Sequence, residues 1–254
     1  MSRGGLLLIA ALGALAACGG GSAPAQKTTV VQEATRPTRV PVKEDPDDGV
    51  EIVSSRGHME PAVVDAGIDP HKADLSACYM SRVGRRRWLG GKVTMHWDIN
   101  RAGEVTRLVL SESDLGAWSV EKCLLDVAKQ ATFGKPVGGD ADFSVPLEFN
   151  AVGRPAVWDE DQSLRAVGGQ LAKLDECAKP PRHNPKVKTI TVPDDVVITL
   201  YVGPAGAPQS VGFASRMTVI DEHWAACAEK QAMAWRLPDP KGNVAKLAVR
   251  YRAK

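Results

Sequence analysis

Five histidines, clustered carboxylates, five cysteines and one arginine cluster are the residues of this 254-residue chain that could do chemistry. His58, His71, His96, His183 and His223 are scattered, without the short spacings that bring two imidazoles to one metal ion. No metal site and no cofactor is expected, and each histidine reads as a surface residue. Asp159-Glu160-Asp161 and Asp221-Glu222 are carboxylate clusters of the type an acid–base pair would use. The first reads better as a solvated linker, the second as the negative charge favoured at a helix N-terminus. No G-x-S-x-G, Walker A or G-x-G-x-x-G run is present. No two of Cys18, Cys78, Cys123, Cys177 and Cys227 form a C-x-x-C, so neither a zinc site nor a thioredoxin-like motif is indicated. The expectation is a protein that is not an enzyme.

The arginine cluster consists of Arg82, Arg85, Arg86, Arg87 and Lys92 around Trp88. One reading is a patch that grips anionic lipid headgroups, lipopolysaccharide or the peptidoglycan peptide, with Trp88 as an interfacial anchor. The other is a solvated loop with Trp88 packed on the fold, and this plainer reading is preferred. Across the whole chain the formal net charge is only +2, which gives no general field for nucleic acid. No nucleic-acid partner is expected.

The N-terminus carries an address. Arg3 precedes the apolar run Leu6-Leu7-Leu8-Ile9-Ala10-Ala11-Leu12, followed by small residues, as in an export signal. Leu15-Ala16-Ala17-Cys18 resembles the bacterial lipobox, in which the chain is cut before a cysteine whose thiol is acylated. That resemblance implies a signal peptide over 1–17 and lipidation of Cys18. Gly19, where an inner-membrane retention signal would have Asp, favours an outer-membrane anchor facing the periplasm. Several acyl chains hold a protein on a bilayer where one does not.

With 44% hydrophobic and 24% charged residues, the chain can build a real core. That core must lie late in the sequence, because all 13 aromatic residues follow Pro70. Residues 18–70 are rich in Pro, Gly and mixed charge and read as a disordered tether. About 50 such residues have an r.m.s. span of roughly 40 Å.

After the tether the chain repeats itself. Cys78, a strand Lys92–Ile99, a turn at Gly103, a strand Val105–Ser111, Trp118, Cys123, Phe133, Pro136 and a strand Phe143–Asn150 form one series. Cys177, a strand Val196–Val202, a turn at Gly206, a strand Pro208–Phe213, Trp224, Cys227, Trp235, Pro238 and a strand Val244–Tyr251 form another. Val93, Met95, Trp97 and Ile99 alternate with polar residues, as on a half-buried strand, whereas Val196–Val202 is apolar on both faces. Val120, Cys123, Leu124 and Val127 give one apolar helix face, and a second helix is expected from about Ile220 to Met233. With Cys18 lipidated, four cysteines remain in an oxidising compartment and allow three pairings. Only Cys78–Cys123 with Cys177–Cys227 treats both repeats alike.

The first repeat resembles the TonB C-terminal domain group, and specifically the AgmX/PglI C-terminal domain of myxobacterial envelope proteins. The residues that carry this are Cys78, Gly91-Lys92-Val93, Gly103-Glu104-Val105, Ser113, Val120-Glu121-Lys122-Cys123 and Phe133-Gly134-Lys135-Pro136. The likeness covers about 74–150 well and 175–252 weakly. It implies an α+β fold of two tandem TonB-C-like units, each a helix, a β-hairpin, a helix and a strand with one disulfide. The units are expected over 71–151 and 164–254, the second divergent, joined by a linker over 152–163. It further implies a non-catalytic protein-binding or scaffold lipoprotein with an envelope protein partner, in a motility or trafficking complex. A free edge strand is a natural recruiting surface in such units. The alternative, resting on the arginine cluster, is a lipoprotein that binds peptidoglycan or anionic envelope lipid.

Overall fold

A computed structural model of the chain describes residues 57–180 and 189–253. The stretches expected as signal peptide and, as far as residue 56, as tether lie outside the described residues, as do Cys18 and His183. The protein is α+β with two disulfides.

Two helices, α1 (Pro61–Ile68) and α2 (Lys72–Val83), precede a three-stranded antiparallel sheet. Its strands are β1 (Gly91–Ile99), β2 (Val105–Ser113) and β3 (Ala141–Phe149), in the order β2-β1-β3. Helix α3 (Trp118–Ala128) connects β2 to β3. Val93, Met95, Trp97 and Ile99 are buried, so the alternation in the sequence is a strand with one face in the core. α1 begins inside the stretch expected to be tether. Pro61 suits the first turn of a helix, where its missing N–H has no partner to lose. The part of the expected 18–70 tether that the structure describes, from residue 57 on, thus contains a helix.

The second sheet has the order β4-β7-β5-β6, from β4 (Ala156–Val157), β5 (Val196–Val202), β6 (Pro208–Ala214) and β7 (Ala245–Tyr251). Helix α5 (Glu222–Met233) connects β6 to β7, as α3 connects β2 to β3. The stretch 152–163, expected as a linker, carries β4, paired parallel to β7, and the start of α4 (Glu160–Val167). Asp159 caps α4, accepting from Gln162 N–H at 2.7 Å, while Gln162 accepts from Asp159 N–H. A 3₁₀ segment, Gly168–Ala178, stands where the second repeat was expected to have an α-helix.

The disulfides pair as the repeat symmetry requires. Cys78–Cys123 ties α2 to α3, and Cys177–Cys227 ties the 3₁₀ segment to α5. They close loops of 45 and 50 residues. In the chain-entropy model each contributes about 4 kcal/mol.

The two sheets meet along β2 and β6, where Ser215 N–H donates to Leu110 C=O at 2.8 Å. This explains why β5 is apolar on both faces. Ile198 and Leu200 face the second core, whereas Thr199 and Tyr201 are buried against the first half. Thr199 donates to Ser113 C=O and Tyr201 to Gly90 C=O. In return Trp118, from α3, sits in the second core, edge-on to Phe213 at 5.6 Å.

Candidate functional site

Each sheet needs its edges accounted for, because an open edge presents unpaired backbone groups that template pairing with another strand. β2 and β6 are turned on each other, and β4 covers the start of β7, at Ala245 and Lys246. β3 pairs on one side only, with β1, in an unbroken register from Gly91↔Phe149 to Ile99↔Ala141. Among the described residues no strand lies along its outer side.

Which backbone groups of β3 face outward follows from β1. The carbonyls of Lys92, Thr94 and Asp98 point toward the β2 side, accepting from Asp114 N–H, Ser111 Oγ and Thr106 Oγ1. The odd-numbered residues of β1 therefore bond to β3, and opposite them stand Ala141, Phe143, Val145, Leu147 and Phe149. It follows that the backbone of Ser144, Pro146 and Glu148 faces away from β1. Pro146 fits, since its missing N–H costs the ladder nothing there.

The edge is firmly backed. Phe143 stacks on Trp97 with ring centroids 5.3 Å apart and meets Phe133 at 4.9 Å. Phe149 stacks on Tyr79 at 4.8 Å. With Val145 and Leu147 these rings form a half-buried apolar row beside the open backbone. The opposite face of the sheet is polar. There His96 Nδ1 lies 2.9 Å from Ser144 Oγ and its Nε2 lies 3.4 Å from Asp98. The trio has hydrolase residue types, but the Asp98 carboxylate is held by Arg107 Nε and the group lies on an open sheet face.

The arginine cluster does not converge. Arg82 donates to Cys78 C=O and Ser81 Oγ, and Arg86 donates to Arg82 C=O. Arg85, Arg87 and Lys92 are exposed. Trp88 is half-buried and packs on Tyr201, ring centroids 4.6 Å apart, between the two halves. Burial pushes the Tyr201 hydroxyl up to about 12. His58 pairs with Glu60 at 2.8 Å, and His223 lies beside Asp221. Asp221 caps α5, accepting from His223 and Trp224 N–H, which is the helix-terminus role expected of Asp221-Glu222. Among the described residues no group of three His, Cys, Asp or Glu side chains is placed to hold a metal ion. No helix among them is long and apolar enough to cross a membrane.

One group is wholly unexpected. Glu121 is fully buried at the junction of the two sheets. Its carboxylate accepts from Ser113 Oγ at 2.6 Å and from Phe213 N–H at 2.9 Å, with Gly116 and Ala117 N–H also against it. Burial pushes its pKa up to about 7, against the opposing pull of those donors. All the donors come from elements that join the halves, so Glu121 is a structural tie.

Compared with models of known protein families, with curated proteins and with solved structures, the chain matches none.

Proposed function

We propose that this chain is a non-catalytic, protein-binding lipoprotein of the bacterial cell envelope. In this reading Cys18 anchors it to the outer membrane, facing the periplasm. Its folded part comprises two TonB-C-like units, the second divergent, and serves as a scaffold in a motility or trafficking complex. The observation that carries the reading is the outer edge of β3, with its outward backbone at Ser144–Glu148 beside an apolar row. An extended segment of a partner can add there as a further strand, gaining main-chain bonds from the edge and side-chain contacts from Val145, Leu147 and Phe149. Two disulfides suit an oxidising compartment. The similar order of the two sheets, with β1 and β5 each flanked by the two strands that follow in its own half, is what a duplicated unit would give.

The test is photo-crosslinking from position 148 in native cells, in the full chain and in Ser144→Pro. Proline at 144 deletes an outward N–H and leaves the ladder with β1 intact. One dominant envelope protein, captured by the parent chain and lost in the variant, is the expected result. Capture that Ser144→Pro leaves unchanged would overturn the edge. Salt-sensitive sedimentation with sacculi or anionic vesicles, abolished when Arg85, Arg86 and Arg87 become Ser, would move the function to the arginine cluster.

A further inference from the structure

The second half has an edge placed like that of β3. β1 ends opposite the start of β3, at Ile99↔Ala141, as β5 ends opposite the start of β7, at Val202↔Ala245. One residue before each alanine, an outward carbonyl is already taken. Asp140 C=O accepts from Gly57 N–H at 2.8 Å, and Val244 C=O accepts from Ala156 N–H at 2.9 Å. Gly57 and Ala156 stand the same number of residues ahead of Cys78 and Cys177, and each leads into a helix, α1 or α4. β4 runs parallel to β7 whereas His58 meets Val137 antiparallel, so the likeness is one of position and not of direction. It places Ala248 where the first half has Ser144.

Ala248 and Arg250 are open as Ser144 is. Trp158 N–H donates to Lys246 C=O at 2.9 Å, so with Val244 the even-numbered residues of β7 form the outward set. The chain then turns at Asp159 into α4, and β4 reaches no further than Lys246. Among the described residues no backbone group bonds to Ala248 or Arg250 on that side. A groove of about 580 Å³ borders these two residues, lined also by Val197, Trp158, Glu160 and Leu164. Leu164 and Val157, which borders the groove as well, are among the large apolar side chains left exposed. Of the charged groups lining it, Lys246 is held by Asp114 at 3.1 Å and Arg250 by Asp195 at 3.2 Å. The Glu160 carboxylate alone has no salt bridge or hydrogen bond among the described residues.

We propose that this groove is a second strand-docking site, for an extended segment of a partner protein that carries a lysine or arginine beside a large aliphatic residue. The added strand continues the line of β4 and bonds to the open backbone of Ala248 and Arg250. Its aliphatic side chain covers Val157 and Leu164, and its cation pairs with Glu160, the unanswered charge of the groove. The site is distinct from the β3 edge and does not depend on it. A partner with two such segments engages both edges, the second at high effective concentration.

Closing the β3 edge isolates this site, so binding is measured on the full chain carrying Ser144→Pro. The probes are two labelled peptides of alternating valine and threonine, one with a central lysine and one with glutamate in its place. The lysine peptide should bind at least about fivefold more tightly than the glutamate peptide, and Glu160→Lys should reverse the order. Loss of fold cannot produce a reversal. On binding, Ala248 amide exchange should slow about tenfold or more. Ala248→Pro, which deletes an outward N–H and leaves the ladder with β5 intact, should abolish binding. Equal affinity for the two peptides, or a preference that Glu160→Lys leaves unchanged, would overturn the site. Binding by the parent chain but not by Ser144→Pro would also overturn it, and would leave the β3 edge standing. Binding by Ser144→Pro, in a chain that captures nothing from position 148, would support this site and remove the β3 edge.

Discussion

Gly212 is a glycine because of Glu121. A Cβ at position 212 would lie 2.4 Å from both carboxylate oxygens and 2.6 Å from Ala117 N. The carboxylate cannot retreat without releasing Ser113 and Phe213. Gly212→Ala should therefore destabilise the protein by at least about 3 kcal/mol, a buried clash combined with loss of buried hydrogen bonds. Denaturant unfolding measures it. A cost under about 1 kcal/mol would show that the junction relaxes.

Glu121 should also make stability depend on pH. Its folded-state pKa of about 7 lies above the ordinary 4.5, so between those values the folded state keeps a proton that the unfolded chain releases. This contribution to stability is greatest at acid pH and declines as pH rises from about 4.5 to about 7, by at most about 1.4 kcal/mol per pH unit. Unfolding of the parent chain and of Glu121→Gln across this range should give a slope in the first that is flattened in the second.

Trp88 and Tyr201 should behave as an interface pair. Trp88→Ala should lower stability by about 2 kcal/mol, and Tyr201→Phe by about 1 kcal/mol through the lost bond to Gly90 C=O. Thermal unfolding reports the loss. Sedimentation of the folded protein with anionic vesicles should be unchanged by Trp88→Ala, because that ring is committed to packing.

Replacing Cys177 and Cys227 together with Ser should cost about 4 kcal/mol. Although the bridge lies in one half, the loss should lower a single unfolding transition rather than divide it, since both halves share Glu121, Trp118 and Tyr201. Calorimetry distinguishes one transition from two.

Much of the scaffold was legible because its signals are local. The alternation at Val93–Ile99, the turn at Gly103, the helix face at Val120 and Leu124 and the spacing of the cysteines each lie within one element or one repeat. Even the doubly apolar β5 was visible, although what covers its second face was not. Glu121 has no role legible in the sequence, because its decisive donor, Phe213 N–H, lies 92 residues away. Asp159 reads in the sequence as solvent-facing charge, since a cap differs from a linker only when the following turn is seen. α1 was hidden by composition, as Pro61–Ile68 has no aromatic residue and sits among prolines and charges.

The exchange of Trp118 for Tyr201 sets a limit on how this protein can be divided. Each ring is a fixture of the other half's interior, so cutting between the halves leaves two wounds, each an aromatic socket or plug without its mate. A shortened gene product would carry such a wound to its proteases, and a variant that exchanged one half alone would need to rebuild both fittings. The halves must be inherited, and discarded, together.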